Sequence, residues 1–112
     1  MILEVRTYRT KPGKRAAFLE FFETRAVGAM RAVGMPVFGP LPDLENPDVF
    51  VWLRAFSSLE ERERVKNAFY EGPVWKGELE AIAMPMLERY DVALTELAGG
   101  FVNFDGSRSL GI

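Results

Sequence analysis

The chain has 112 residues, a formal net charge of −2, 48% hydrophobic and 12% aromatic residues, and neither cysteine nor histidine. That length suits one domain, and the missing residue types exclude a disulfide framework, a Ser-His-Asp or Cys-His nucleophile and a zinc site built on nitrogen or sulfur. Without a basic excess to neutralise phosphates no nucleic-acid partner is expected, and without an apolar run near the ~20 residues that span a bilayer no membrane partner is either.

Residues 2–10 read as a strand, with Leu3, Val5 and Thr7 on one face and Glu4, Arg6 and Tyr8 on the other. The charges at Glu4, Arg6 and Arg9 leave no signal-peptide core there, and a cytoplasmic location is the expectation. Lys11-Pro12-Gly13-Lys14 breaks the strand, with Pro12 placed to open a helix. From about Gly13 to Val33 an apolar stripe of Phe18, Leu19, Phe22, Ala26, Met30 and Val33 predicts a long helix, which Gly34 stops. Residues 35–41 read as a weak strand that Pro36 and Pro40 confine to an edge or a bulge. The turn-rich stretch 42–48 leads to the strongest strand, 49–56.

Two overlapping capping boxes, Ser57…Glu60 and Ser58…Glu61, predict a helix running to about Tyr70 with Val65, Ala68 and Phe69 inward. Gly72-Pro73 interrupts it, and Val74, Trp75, Leu79 and Ile82 fit a shorter helix that ends before Pro85. A last strand spans 87–97, with Tyr90, Val92 and Leu94 on one face. The order βαββαβ predicts an α+β, ferredoxin-like domain over 1–97: a four-stranded antiparallel sheet with helices on one side. Residues 98–112 form a C-terminal extension beyond that plan, either a tail or an arm that docks Phe101 and Phe104 on a partner.

A one-sided helix layer leaves the other sheet face open. Strand 49–56 carries Phe50, Trp52, Arg54 and Phe56 on one side and Val49, Val51 and Leu53 on the other. A strand apolar on both faces calls for cover on both, and a second copy of the chain is the simplest cover. A homodimer in which two sheets close into an α+β barrel is therefore expected.

Two readings attach to the polar and aromatic residues of these strands. In the first, Arg6, Tyr8, Trp52 and Arg54 floor a small-molecule site, with an arginine anchoring a carboxylate or enolate oxygen, Tyr8 donating a hydrogen bond and Trp52 stacking on a ring. In the second, Glu4 pairs with Arg6 or Arg54 as a buried ion pair that fixes the dimer register. Trp75, Tyr70 and Phe69 either wall a cavity between helices and sheet or belong to the core, and Met30, Met35, Met84 and Met86 either line it or fill gaps. Arg62 is placed to fold back on a carboxylate. No metal or cofactor is called for by these residues.

The chain resembles the NIPSNAP family of the dimeric α+β barrel superfamily. The resemblance runs through Glu4-Val5-Arg6-Thr7-Tyr8-Arg9, Lys11-Pro12-Gly13-Lys14, Val51-Trp52-Leu53-Arg54-Ala55-Phe56, Ser58-Leu59-Glu60-Glu61-Arg62, Pro73 and Trp75, and covers about residues 2–96. It implies a small dimeric barrel of unsettled activity that binds a small, partly apolar molecule. Structural cousins of the family catalyse cofactor-independent oxygenation or isomerisation, so proton-transfer or oxygenase-type chemistry is one implication by analogy. A non-catalytic dimeric interaction module with a filled core is the alternative.

Overall fold

Alternation along the first strand sets the layers of the whole chain. In β1 (Ile2–Thr10) every second residue from Ile2 to Thr10 is buried, and the residues between are half-buried. The inward set includes Glu4, Arg6 and Tyr8, so the polar face of the strand is the one the helices cover. The computed structural model describes residues 1–97, and beyond them only the backbone of Phe101–Val102 and Arg108–Ser109, which pair antiparallel. The expectation that Phe101 and Phe104 dock on a partner lies outside the described residues.

Four strands form one antiparallel sheet in the order β2-β3-β1-β4, where β2 is Val37–Pro42, β3 is Val49–Phe56 and β4 is Leu87–Glu96. This is the ferredoxin-like order expected of βαββαβ. β2 is an edge strand, and its pairing with β3 shifts register between Phe38 and Leu41. Pro40, which has no N–H to give the ladder, sits in that irregular stretch.

The first helical run, α1 (15–32), starts three residues later than Pro12 suggested. Lys11-Pro12-Gly13-Lys14 instead closes a β-turn: Lys14 N–H donates to Lys11 O at 3.0 Å, and Gly13 takes φ +76° at the position where a type II turn needs it. α1 is α-helical over Arg15–Phe21, π-helical over Phe22–Ala26 and α-helical again over Val27–Ala32. It ends in a Schellman motif, with Met35 N–H on Met30 O at 3.1 Å, Gly34 N–H on Arg31 O at 2.9 Å and Gly34 at φ +88°. That turn delivers Met35 into the core beside Met30. The Pro-rich loop after β2 is held from α1, where Arg15 Nη1 lies 2.8–3.0 Å from the carbonyl oxygens of Asp43, Asn46 and Val49.

Of the two capping boxes, Ser58 provides the cap of α2 (Leu59–Tyr70), accepting from Glu61 N–H at 3.0 Å. The Glu61 carboxylate does not reach back to close the box but pairs with Arg64. Val65 and Phe69 face inward, whereas Ala68 is exposed. The third helical run, α3 (75–83), is π-helical over Trp75–Leu79 and α-helical over Glu80–Ala83, with Leu79 and Ala83 buried. Val74 stays on the surface. Among the described residues no helix is long and apolar enough to cross a membrane.

One buried carboxylate ties the layers together. Glu4 has no exposed surface. Its Oε1 accepts from Arg6 Nη1 at 2.6 Å and Arg54 Nε at 2.5 Å, and its Oε2 accepts from Arg62 Nε at 2.5 Å. β1, β3 and α2 therefore share one anion. The pairing proposed from sequence is present, but it lies between sheet and helices, away from the open sheet face. It cannot fix how two open faces meet.

Burial alone would raise the Glu4 carboxyl, but hydrogen bonds and charge from Arg54, with the bonds from Arg62 and Arg6, outweigh it and hold the group down to about 2 against an ordinary 4.5. A depressed carboxyl stabilises the fold fully above its unfolded value and loses that contribution as pH falls towards the folded one. Glu4→Gln strands three guanidinium groups without their anion and should cost about 3–5 kcal/mol at neutral pH. In urea denaturation the gap between wild type and Glu4→Gln should narrow as pH falls from 4.5 towards 2. A constant gap over that window would show that the Glu4 charge does not hold the layers.

Candidate functional site

The helix layer stops short of one sheet edge. The register Tyr8↔Tyr90, Arg6↔Val92 and Glu4↔Leu94 puts Tyr90, Val92 and Leu94 on the helix-covered side of the sheet. Yet they remain 50%, 38% and 50% exposed, because α1 and α2 cover β1 and β3 rather than the edge strand β4. The gap between β4 and the three helical runs opens into a cavity of about 470 Å³.

All five residues singled out from the sequence, Arg6, Tyr8, Trp52, Arg54 and Trp75, border this cavity. Strand alternation puts the first four on one sheet face, and the break at Gly72-Pro73 lets α3 bring Trp75 across from the other side. Tyr70, Phe69, Met30 and Met84 also line it, whereas Met35 and Met86 do not. Tyr90 and Val92, the far wall, were missed as site residues. Their alternation was visible in sequence, but no pattern shows that an edge strand lacks helix cover.

The floor is cationic and aromatic. Arg6 lies between Trp52 and Tyr90, its guanidinium carbon 5.3 and 5.4 Å from the ring centres. Arg54 lies 5.5 Å from the rings of both Trp52 and Tyr70. These aromatic faces favour a cation and hold it in one geometry. Three arginines share the Glu4 carboxylate, and Arg62 alone also reaches a second one, Glu63, so the cluster carries an excess of positive charge at Arg6 and Arg54.

Hydrogen bonds leave this floor rich in donors. Tyr8 Oη accepts from Arg6 Nε at 3.3 Å, and Tyr70 Oη accepts from Arg54 Nη1 at 3.0 Å. Each phenol, with its oxygen engaged by an arginine, keeps its own proton to donate. Burial, partly offset by the Arg6 charge, pushes the Tyr8 phenol up to about 12, so it stays a donor through the neutral range. Trp52 Nε1 and Arg54 Nη2 are buried without any acceptor among the described residues. Two such orphan donors on residues that line one cavity are a departure from the usual rule that buried polar groups are paired.

Acceptors are scarce around the cavity. Glu80 is the carboxylate that borders it, and it sits at the exposed rim, accepting from Trp75 Nε1 at 3.2 Å. Among the described residues no group of three His, Cys, Asp or Glu comes together to hold a metal ion. What the arrangement can do is accept a flat apolar body between aromatic walls and hydrogen-bond to an oxygen it carries.

Two of the three helical runs that frame the cavity, α1 and α3, carry a π-turn, with Val27 N–H on Phe22 O and Glu80 N–H on Trp75 O. An ion pair between Arg25 and Glu78 joins the two π-turns. Such turns insert an extra residue into a helix and are frequent at functional sites.

The sequence profile of the NIPSNAP family matches residues 3–98. A NIPSNAP family protein of unknown function from Agrobacterium tumefaciens shares 27% identity and superposes with a TM-score of 0.77 over 88% of each chain. An uncharacterized NIPSNAP domain protein from Burkholderia xenovorans is 22% identical, with a TM-score of 0.78 over 88% of this chain and 96% of that one. A putative antibiotic biosynthesis monooxygenase from Nitrosomonas europaea, 19% identical, shares the fold with a TM-score of 0.63 over 86% of this chain and 97% of that one. No curated protein matches the chain. With the family profile covering nearly the whole described domain, the chain belongs to the NIPSNAP family.

Proposed function

We propose that this protein binds a small, partly apolar, acidic molecule in the cavity between the sheet and the three helical runs, through Arg6, Tyr8, Trp52, Arg54 and Trp75. The observation that carries this reading is that two residues lining a cavity of about 470 Å³, Trp52 and Arg54, each hold a buried donor, Nε1 and Nη2, with no acceptor among the described residues. That volume falls within the range of ordinary small-molecule sites, and the lining of aromatic walls with a few polar groups is their usual character. The non-catalytic reading asks for an interior filled by the protein's own side chains, and the cavity argues against it.

The finer chemical reading is stabilisation of an oxyanion. Donors fixed in place by other bonds need no reorganisation when negative charge develops beside them. Chemistry that passes through an enolate or phenolate, such as proton transfer or cofactor-independent oxygenation, suits this lining. The likeness in fold to a putative monooxygenase agrees with that reading without carrying it.

The two tryptophans of the chain, Trp52 and Trp75, both border the cavity, so the whole indole emission reports on it. A panel of small aromatic carboxylates should include members that quench this emission saturably. Val92→Phe, which adds bulk at the entrance, should weaken such a ligand about 10-fold, or ~1.4 kcal/mol. Linear, unsaturable quenching by every compound, unchanged in Val92→Phe, would overturn the proposal.

We further propose that the chain works as a homodimer joined through the open sheet face. That face carries Leu3, Val5, Val51 and Leu53, with Phe38 and Leu41 from the edge strand 59% and 43% exposed. Apolar side chains in one contiguous patch favour a second copy over water. Light scattering at micromolar concentration should give twice the chain mass, and Leu53→Lys should halve it. A monomeric mass for the wild type contradicts the dimer and leaves the cavity proposal standing.

A further inference from the structure

The charges around the cavity decide which form of a ligand it can hold. Arg6, Arg54, Arg62 and Lys66 border it, against Glu80 at the rim and Glu63, which pairs with Arg62 and Lys66 from outside the lining. Glu4, the carboxylate nearest the floor, has no exposed surface, and both its oxygens are occupied by arginines. Tyr8 and Tyr70 each already accept from an arginine and keep a proton to donate. A hydroxyl group entering this floor would find donors but no free carboxylate to take its own proton. An oxygen that has already lost its proton would meet donors and excess positive charge. The aromatic walls, Trp52, Tyr70, Trp75 and Tyr90, suit a planar body carrying that oxygen.

We infer that the cavity selects the ionised form of a flat, conjugated phenol or enol over its neutral form, so that the site makes the ligand a stronger acid rather than removing the proton with a base of its own. This rests on the small-molecule reading above and adds the chemical class and protonation state of the ligand. The proton goes to bulk water or buffer before or during binding, and no covalent bond within the protein is made or broken. A consequence is that binding across the neutral range follows the titration of the ligand. The described cavity lining contains no histidine or free buried carboxylate to impose a titration of its own. The same donors would hold the developing anion in any later reaction at the adjacent carbon.

The test uses 4-nitrophenol, whose ionised form absorbs visible light, and its methyl ether 4-nitroanisole, which cannot ionise. With the wild-type protein in excess, the apparent pKa of the bound phenol should fall by about 1–3 units, as expected beside uncompensated positive charge. At a pH where the free phenol is mostly ionised, it should bind at least about 10-fold more tightly than the ether. Trp52→Phe removes a donor that has no partner among the described residues. It should therefore stay folded by circular dichroism while narrowing the preference for the ionised phenol over the ether. Binding of both probes with equal affinity, or an unchanged or raised pKa for bound phenol, overturns the ionised-form inference and leaves the small-molecule reading intact. Failure of both probes to bind, together with unsaturable quenching by the aromatic acids, overturns that reading and the inference with it.

Discussion

Everything in this fold turns on Glu4, one carboxylate enclosed by three guanidinium groups from two neighbouring strands and a helix. A buried charge is tolerated only where partners replace the water it has lost. Here the partners outnumber it. The surplus positive charge cannot disperse into solvent, because Arg54 is almost fully buried and Arg6 nearly so. It is instead held between aromatic rings, and both arginines border the cavity. The element that ties α2 to the sheet is thus the same element that makes the floor of the site cationic.

The cavity itself follows from a shortage of cover. Two principal helical runs cannot shield four strands, and the strand left short is β4, whose Tyr90 and Val92 face inward without meeting a helix. α3, tilted in after the Gly72-Pro73 break, reaches this region with Trp75 and stops short of filling it. Tyr70 and Trp75 meet edge to face at 5.2 Å and form one side of the opening. Rigid aromatic walls around fixed donors give a site whose geometry is set before a ligand arrives, which reduces the ordering that binding requires.

Much of this was legible in the sequence. Period-two alternation in residues 2–10 put Glu4, Arg6 and Tyr8 on one face, and the same rule in 49–56 put Trp52 and Arg54 on one face, where antiparallel pairing brings them beside Arg6 and Glu4. The edge position of β2 followed from its prolines. Other features were not legible, for stated physical reasons. Which sheet face the helices cover was open, since both faces of 49–56 are apolar. The burial of Ala68 was misjudged because a small side chain is compatible with either side of a helix. Val74 precedes α3 proper, where the apolar stripe does not yet face the core. The π-turns in α1 and α3 had no signature in residue spacing, because an i, i+4 stripe such as Phe22, Ala26 and Met30 persists through them. Tyr90 and Val92 were visible as a face but not as a wall, since the extent of helix cover is a property of the assembled layers.

If surplus buried positive charge directs the acidic oxygen of a flat ligand to the Arg6–Arg54 floor of this cavity, crystals soaked with 4-bromophenol at alkaline pH should reveal it, because the anomalous signal of bromine fixes the direction of the ring. One bromine per chain is expected near Val92 and Met84, with the oxygen pointing towards Trp52 and Arg54. Bromine at the floor with the oxygen facing solvent, or bound only outside the cavity, would contradict it.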